Sequence, residues 1–333
     1  MMIKFRAASA VLTALLVATS LGAFSSGTTH AAQAPAAPLS APVAALPAGM
    51  TFYCPMHPEL TSPTTTTCPV CKMQMVVGNP LDTREYELDF ATTPAAVKAG
   101  QPFTLKLRVT DGDEAVTKFE EVHDKRYHLF IISRDMTVFE HVHPVEQPDG
   151  TWELGATLPK PGYYNIVSDF LPTGGTPQVL TRELITADYD GDALTDQVKI
   201  QPDLVFQKTL NGITATVDFD PKPLQAGEHG HLTYNLTDEH GQPVTDLQPY
   251  LGAFGHTLIM SGDQTNVVHS HPTPDLSNDI SRGAGGPRVM FEGYFPIAGE
   301  YRVWTQFLRH DQITTFSFAF RVPTLEEAMR RTQ

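Results

Sequence analysis

The sequence predicts an all-β chain in which two antiparallel β-sandwiches follow one another behind a small cysteine-bearing module. Apolar residues alternate with period two over 103–109, 232–236 and 315–320, as in strands with one buried face. Turn dipeptides punctuate these runs at Asp111-Gly112, Asp149-Gly150, Gly174-Gly175, His240-Gly241 and Ala298-Gly299. Proline falls mostly between the runs, where its missing N–H does least harm, and no long helical periodicity interrupts them.

Residues 83–187 and 212–323 are the two expected sandwiches, and they read as copies. Val97-Lys98-Ala99-Gly100 recurs as Leu224-Gln225-Ala226-Gly227, and His128-Leu129-Phe130-Ile131-Ile132 as His256-Thr257-Leu258-Ile259-Met260. Pro161-Gly162-Tyr163-Tyr164 recurs around Ala298-Gly299-Glu300-Tyr301. The second copy carries an insertion between His271 and Gly299, in a stretch rich in Gly, Ser, Asn and Pro where a sandwich tolerates extra residues. Residues 188–211 join the copies. Asp188, Asp190, Asp192 and Asp196 are spaced somewhat like a calcium loop. However, Ala193 stands where such a loop needs glycine and Lys199 where it needs an acid, so the segment reads as an acidic surface linker. Residues 324–333 read as a short helical tail, acidic early and basic late.

In each copy a histidine precedes an H-x-H by 13 residues: His128 before His141 and His143, His256 before His269 and His271. A two-residue turn at Asp135-Met136 puts His128 opposite His143, and a turn at Asp263-Gln264 puts His256 opposite His271. Residues i and i+2 of a strand share a face, so each hairpin gathers three imidazoles, a set that suits copper or zinc. The same residues also suit hydrogen-bonded positions at the rim of a core, because His128 shares its face with Phe130 and Ile132. Both readings stand on the sequence. His123, Glu140, Asp169 and His310 are weaker candidate ligands. Met260, Tyr163, Tyr164, Tyr301 and Trp304 read as core.

All three cysteines lie within 22 residues, in Cys54-Pro55-Met56-His57 and Cys68-Pro69-Val70-Cys71-Lys72-Met73-Gln74-Met75. Three thiols cannot all pair within the chain, whereas three thiolates and an imidazole complete a four-coordinate site. Cys54, His57, Cys68 and Cys71 are therefore the expected ligands. Met56, Met73 and Met75 are candidate thioether donors that would favour Cu(I). A disulfide between Cys68 and Cys71, or inert thiols, are the competing readings. The segment 51–78 is too small for a core of its own, so metal should supply most of its folding energy.

This segment resembles the heavy-metal-binding domain family, whose pattern is an aromatic residue, C-P-M-H-P, then C-P-x-C-x-M. Lys72 departs from it, standing where the family often has glycine. The resemblance implies a metal module of the kind attached to efflux adaptors, metal-pumping ATPases and exported bacterial proteins. The strand-rich region resembles, more loosely, the immunoglobulin-like domains of exported metal-handling proteins.

Lys4 and Arg6 followed by the apolar run 7–23 read as an export signal ending by residue 31, and 32–50 as an Ala/Pro-rich spacer. No later run is long enough to span a membrane. The formal net charge of −14 argues against nucleic acid and anionic membranes as partners. No P-loop, dinucleotide fingerprint or nucleophile elbow occurs, and neither sandwich has the cysteine a blue-copper site needs. The expectation is an exported, non-enzymatic heavy-metal-binding protein for copper or zinc. It would be flexibly tethered through its Thr-rich and Pro-rich segments and would pass the ion to a metal efflux or delivery protein. The alternatives are a surface interaction protein with a structural metal knuckle, and a copper or iron redox enzyme using the histidine hairpins.

Overall fold

The computed structural model describes residues 46–192, 200–273 and 282–331. The expected leader, most of the spacer, Ala193, Asp196 and Lys199 of the linker, and part of the inserted loop lie outside them.

The cysteine module is a three-stranded antiparallel sheet of β1 (Thr51–Cys54), β2 (His57–Ser62) and β3 (Val76–Gly78), in the order β2-β1-β3. It is firmly seated on the first sandwich. The fully buried Tyr53 donates its hydroxyl to the Gly175 carbonyl at 2.5 Å, and the Asn79 amide donates to the Gly174 carbonyl at 3.2 Å. Gly78 must be glycine at this seat, because a Cβ would lie 2.8 Å from the Tyr53 ring. The Thr-rich stretch is pinned as well: Gln74 donates to Thr65 Oγ1 and to the Thr66 carbonyl, each at 2.9 Å. The flexible tether expected on this side of the module is therefore corrected, because backbone pairing and a buried tyrosine hold the module in place.

The first sandwich comprises β4 (Tyr86–Thr93), β5 (Pro102–Asp111), β6 (Glu114–Ala115), β7 (Phe119–Glu120), β8 (Tyr127–Ser133), β9 (Phe139–Val142), β10 (Val145–Glu146), β11 (Trp152–Thr157), β12 (Tyr163–Pro172) and β13 (Gln178–Ile185). One sheet runs β10-β11-β5-β4 and the other β13-β12-β8-β9. The second sandwich comprises β14 (Gln207–Leu210), β15 (Ile213–Asp220), β16 (Glu228–Asp238), β17 (His256–Ser261), β18 (Val267–Ser270), β19 (Arg288–Phe295), β20 (Gly299–Arg309) and β21 (Gln312–Val322). Its sheets run β14-β15-β16-β19 and β18-β17-β20-β21; the second repeats β9-β8-β12-β13, whereas the first repeats only β4-β5-β11 and carries its fourth strand on the opposite edge.

β5 shows the simple alternation, with Phe103, Leu105, Leu107 and Val109 buried in the first core. β8 does not alternate: all seven of its residues are buried. Leu129 and Ile131 enter the core of their own sandwich. Phe130 and Ile132 face the other way, into a third core with Val167, Leu258, Met260 and Trp304. This core lies between the sandwiches, and the Phe139 and Trp304 rings stack across it with centroids 4.9 Å apart. The face that carries the histidines is thus covered by the second sandwich and is not the rim of a single core.

The hairpin turns have four-residue loops, 134–137 and 262–265, where the sequence reading expected two. The Ser133 amide donates to the Val138 carbonyl at 3.1 Å and the Ser261 amide to the Asn266 carbonyl at 3.0 Å. A residue in the left-handed region completes each loop, Met136 at φ 56° and Gln264 at φ 64°. The centre of each turn is unchanged, so the register is the expected one, with Phe130 opposite His141 and Leu258 opposite His269. Gln264 also ties the sandwiches together: it accepts from Asn165 Nδ2 at 2.6 Å and donates to the Arg134 carbonyl at 2.7 Å.

The chain closes on α1 (Leu325–Arg331), started by a reciprocal cap. The Thr324 hydroxyl accepts from the Glu327 amide at 3.1 Å, and the Glu327 carboxylate accepts from the Thr324 amide at 2.9 Å. No helix among the described residues is long and apolar enough to cross a membrane.

Removing the Trp304 ring should cost about 3–5 kcal/mol, because it empties the core between the sandwiches. Urea unfolding of Trp304→Ala should show this loss together with a splitting of the transition as the sandwiches uncouple. A single transition within about 1 kcal/mol of the parent would contradict the assignment.

Candidate metal centres

The first cluster is built by two turns. Cys54 and His57 pair across the β1–β2 hairpin, whose turn is Pro55-Met56. The second turn is closed by the Cys68 amide donating to the Met73 carbonyl at 2.7 Å and the Lys72 amide donating to the Cys68 carbonyl at 3.0 Å. Lys72 sits at φ 62°, in the left-handed region, which is a physical reason for glycine to suit this position. Together the turns bring donor atoms of Cys54, His57, Cys68 and Cys71 within 4.8 Å of one another. Sγ of Cys54 lies 3.4 Å from Sγ of Cys71 and 3.6 Å from Nδ1 of His57, and Sγ of Cys68 lies 3.7 Å from the same nitrogen. A tetrahedral zinc ion with Zn–S bonds of about 2.3 Å would space its sulfurs about 3.8 Å apart, so the set fits a single ion. All three cysteines are free thiols, so the disulfide reading does not hold.

Cys54 and Cys68 are fully buried, while Cys71 and His57 are partly exposed. The hydrogen bond to Cys71, together with burial, pushes the Cys54 thiol far up. The same contact holds Cys71 below its usual value, so Cys71 gives up its proton ahead of Cys54. Met75 packs against Cys54 and Cys68 in the module's small core, and Met56 is exposed.

The second cluster lies between the sandwiches. The first hairpin supplies His128, His141 and His143, and the second His256, His269 and His271, all turned toward one another. Ring centroids of His128 lie 5.2 Å from His269 and 6.2 Å from His256. His123 stacks on His271 with centroids 3.3 Å apart. Burial is the main reason that His123, His141 and His143 are each pushed down to about 3, with nearby histidines adding to it. His256, His269 and His271 are held well below their usual value by the same cause. Burial pushes the Asp169 carboxyl up to about 6, against an opposing pull from His128.

Of the weaker candidates, His123 and Asp169 join this cluster. Glu140 does not: it is exposed and lies opposite Ile131, on the other side of the strand from His141. His310 also stands apart, exposed and 3.1 Å from Asp246. Two contributors escaped the sequence reading. Gln306 lies opposite His256 on β20 and reaches His141, and the Tyr250 carbonyl reaches His256. Gln306 stands at the position of Asp169 in the repeat, which is the signal that could have found it.

The family model described as "Domain of unknown function (DUF8832)" matches residues 82–185 and again 208–324. The model described as "Heavy metal binding domain" matches residues 51–76. No curated protein matches the chain. Among solved structures, the Escherichia coli adhesin FdeC covers 75% of this chain and 68% of its own at 14% identity and a TM-score of 0.23. A two-domain fibronectin type-III segment of chicken tenascin covers 72% and 98% at 13% identity and 0.19. Domains 4 and 5 of the S-layer protein SbsC cover 72% and 97% at 14% identity and 0.20.

The left-handed turn at Lys72 makes a specific demand. Lys72→Val places a β-branched residue there and should cost about 1–3 kcal/mol of the module's stability, read as faster loss of bound metal to a chelator. Lys72→Gly should keep the parent's retention. Equal retention by the valine variant would show that the turn is not under this constraint.

Proposed function

We propose, taking as premise that this chain belongs to the DUF8832 family and carries a heavy metal binding domain ahead of its two copies of that domain, that it is an exported metal-capturing protein. Its cargo is a soft or borderline ion, copper or zinc, taken at Cys54, His57, Cys68 and Cys71. The observation that carries this reading is the convergence of these four donors within 4.8 Å on two short turns. The basic start and apolar run of the leader support export.

The asymmetry of the site suits transfer. Cys54 and Cys68 hold the ion from the buried side, and Cys71 and His57 face the edge that an incoming thiolate reaches first. Ligand exchange at that edge would let a metal efflux or delivery protein take the ion without unfolding the module. Because the module is docked through Tyr53, the partner must come to the ion. Exposed Met56 lies beside this edge in sequence and would present a thioether to Cu(I).

Loading the reduced protein with Co(II) as a zinc surrogate tests the reading. One equivalent should bind with the intense near-ultraviolet band of thiolate-to-cobalt charge transfer. Cys68→Ser should weaken that binding by roughly a hundredfold or more. A parent protein without the band, or a variant that keeps it unchanged, would remove the basis for the proposal.

A further inference from the structure

We infer that the two sandwiches together form a second metal centre, an all-imidazole site for divalent copper or zinc, made by His128, His141 and His143 of one copy with His256, His269 and His271 of the other. This goes beyond the thiolate site and does not depend on it.

The outward partners of the rings fix where their protons go. A neutral imidazole has one N–H to donate. His128 Nε2 donates to the Val122 carbonyl at 3.0 Å, and His256 Nε2 to the Tyr250 carbonyl at 2.9 Å. His141 Nδ1 donates to Gln306 Oε1 at 2.8 Å, and His269 Nδ1 to the Asp169 carboxylate at 2.5 Å. The Gln306 amide is itself oriented, because its Nε2 donates to Thr315 Oγ1 at 3.2 Å. Each of these four rings therefore spends its proton outward and keeps a lone pair on its inward nitrogen.

Those inward nitrogens face one another. His128 Nδ1 lies 3.2 Å from Nε2 of His141 and 3.2 Å from Nε2 of His143. His256 Nδ1 lies 3.3 Å from Nε2 of His269. In the His128–His141 and His256–His269 pairs, whose ring protons all point outward, lone pairs opposed at such distances repel unless a cation lies between them. A tetrahedral ion with M–N bonds of about 2.0–2.1 Å sets its ligand nitrogens about 3.3 Å apart. An added proton would relieve one pair only. It would also leave His271, both of whose ring nitrogens are buried without a partner, and the orphaned Nε2 of His123.

The outer shell is repeated and crosses between the copies. In both, the carbonyl that takes the histidine proton lies six residues earlier and starts a two-residue turn of left-handed residues. These turns are His123-Asp124 at φ 52° and 61°, and Leu251-Gly252 at 52° and 70°. Asp169 lies opposite His128 and Gln306 opposite His256, yet each reaches over to orient a histidine of the other copy. Hydrogen-bonded partners that fix the tautomer and direction of a ligating histidine are the usual outer shell of a metal site. Two donor trios, His128/His141/His269 and His123/His256/His271, each converge within 4.8 Å, one for each of up to two ions.

The test uses the full chain with Cys54, Cys68 and Cys71 changed to serine, which removes the thiolate site. That protein should still bind at least one equivalent of Zn(II) or Cu(II). The Cu(II) form should show nitrogen-only coordination by electron paramagnetic resonance. Because both sandwiches supply ligands, zinc at about 1,000 times its Kd should raise Tm by roughly 10 °C. His141→Gln with His256→Gln, which removes one donor from each trio, should abolish both effects while leaving the metal-free circular dichroism spectrum unchanged. Should that pair misfold, His269→Gln with His271→Gln provides the same test, one donor again coming from each trio. A thiol-free protein that binds less than a tenth of an equivalent, or whose bound metal survives both histidine pairs, overturns the inference even if the thiolate site behaves as proposed.

Discussion

The structure depends on one constraint: the sheet that carries β8 and β12 is apolar on both faces. Leu129 and Ile131 fill the first sandwich, and Phe130, Ile132 and Val167 would otherwise face water. The matching face of the second sandwich, with Leu258, Met260 and Trp304, covers them. Burying such side chains stabilises by about 1.5–3 kcal/mol each, so the docked arrangement is strongly favoured. The histidines ride on the same faces. Once the apolar halves meet, the imidazoles have no choice but to meet beside them.

The two clusters solve the problem of gathering donors in opposite ways. The cysteine module has little core, and its donors come from turns close in sequence, so an ion bound there would add much to its order. The histidine cluster is assembled by two large sandwich cores, with donors more than a hundred residues apart. One set is soft and partly open to solvent. The other is nitrogen-based and enclosed. The Tyr53 hydroxyl fastens the first to the turn that follows β12, the strand that also carries Asp169.

What the sequence discloses follows from the range of each interaction. The Cys54–Cys71 set is legible because its geometry is local, and its spacing alone predicts two chelating turns. The pairing of His128 with the His141 hairpin is legible because register depends only on the centre of the turn, even though the loop proved longer than expected. The meeting of the two hairpins is not legible from periodicity. It depends on which outer face another domain covers. A trace of it is present in the unbroken run Leu129-Phe130-Ile131-Ile132, since a strand with one wet face would alternate. Gln306 belongs to no motif and acquires its role only through the partner it reaches.

The two copies are not identical where it matters most. Asp169 and Gln306 hold equivalent places, but one is a carboxyl group and the other a neutral amide. A carboxylate makes the imidazole it orients a stronger electron donor than an amide oxygen does. His269 thus hydrogen-bonds to an acid where His141 hydrogen-bonds to an amide, although the strand pairing around them is the same. Duplication has left the two halves of the interface with different ionisable chemistry, so only the half that holds Asp169 can gain or lose a proton at that position.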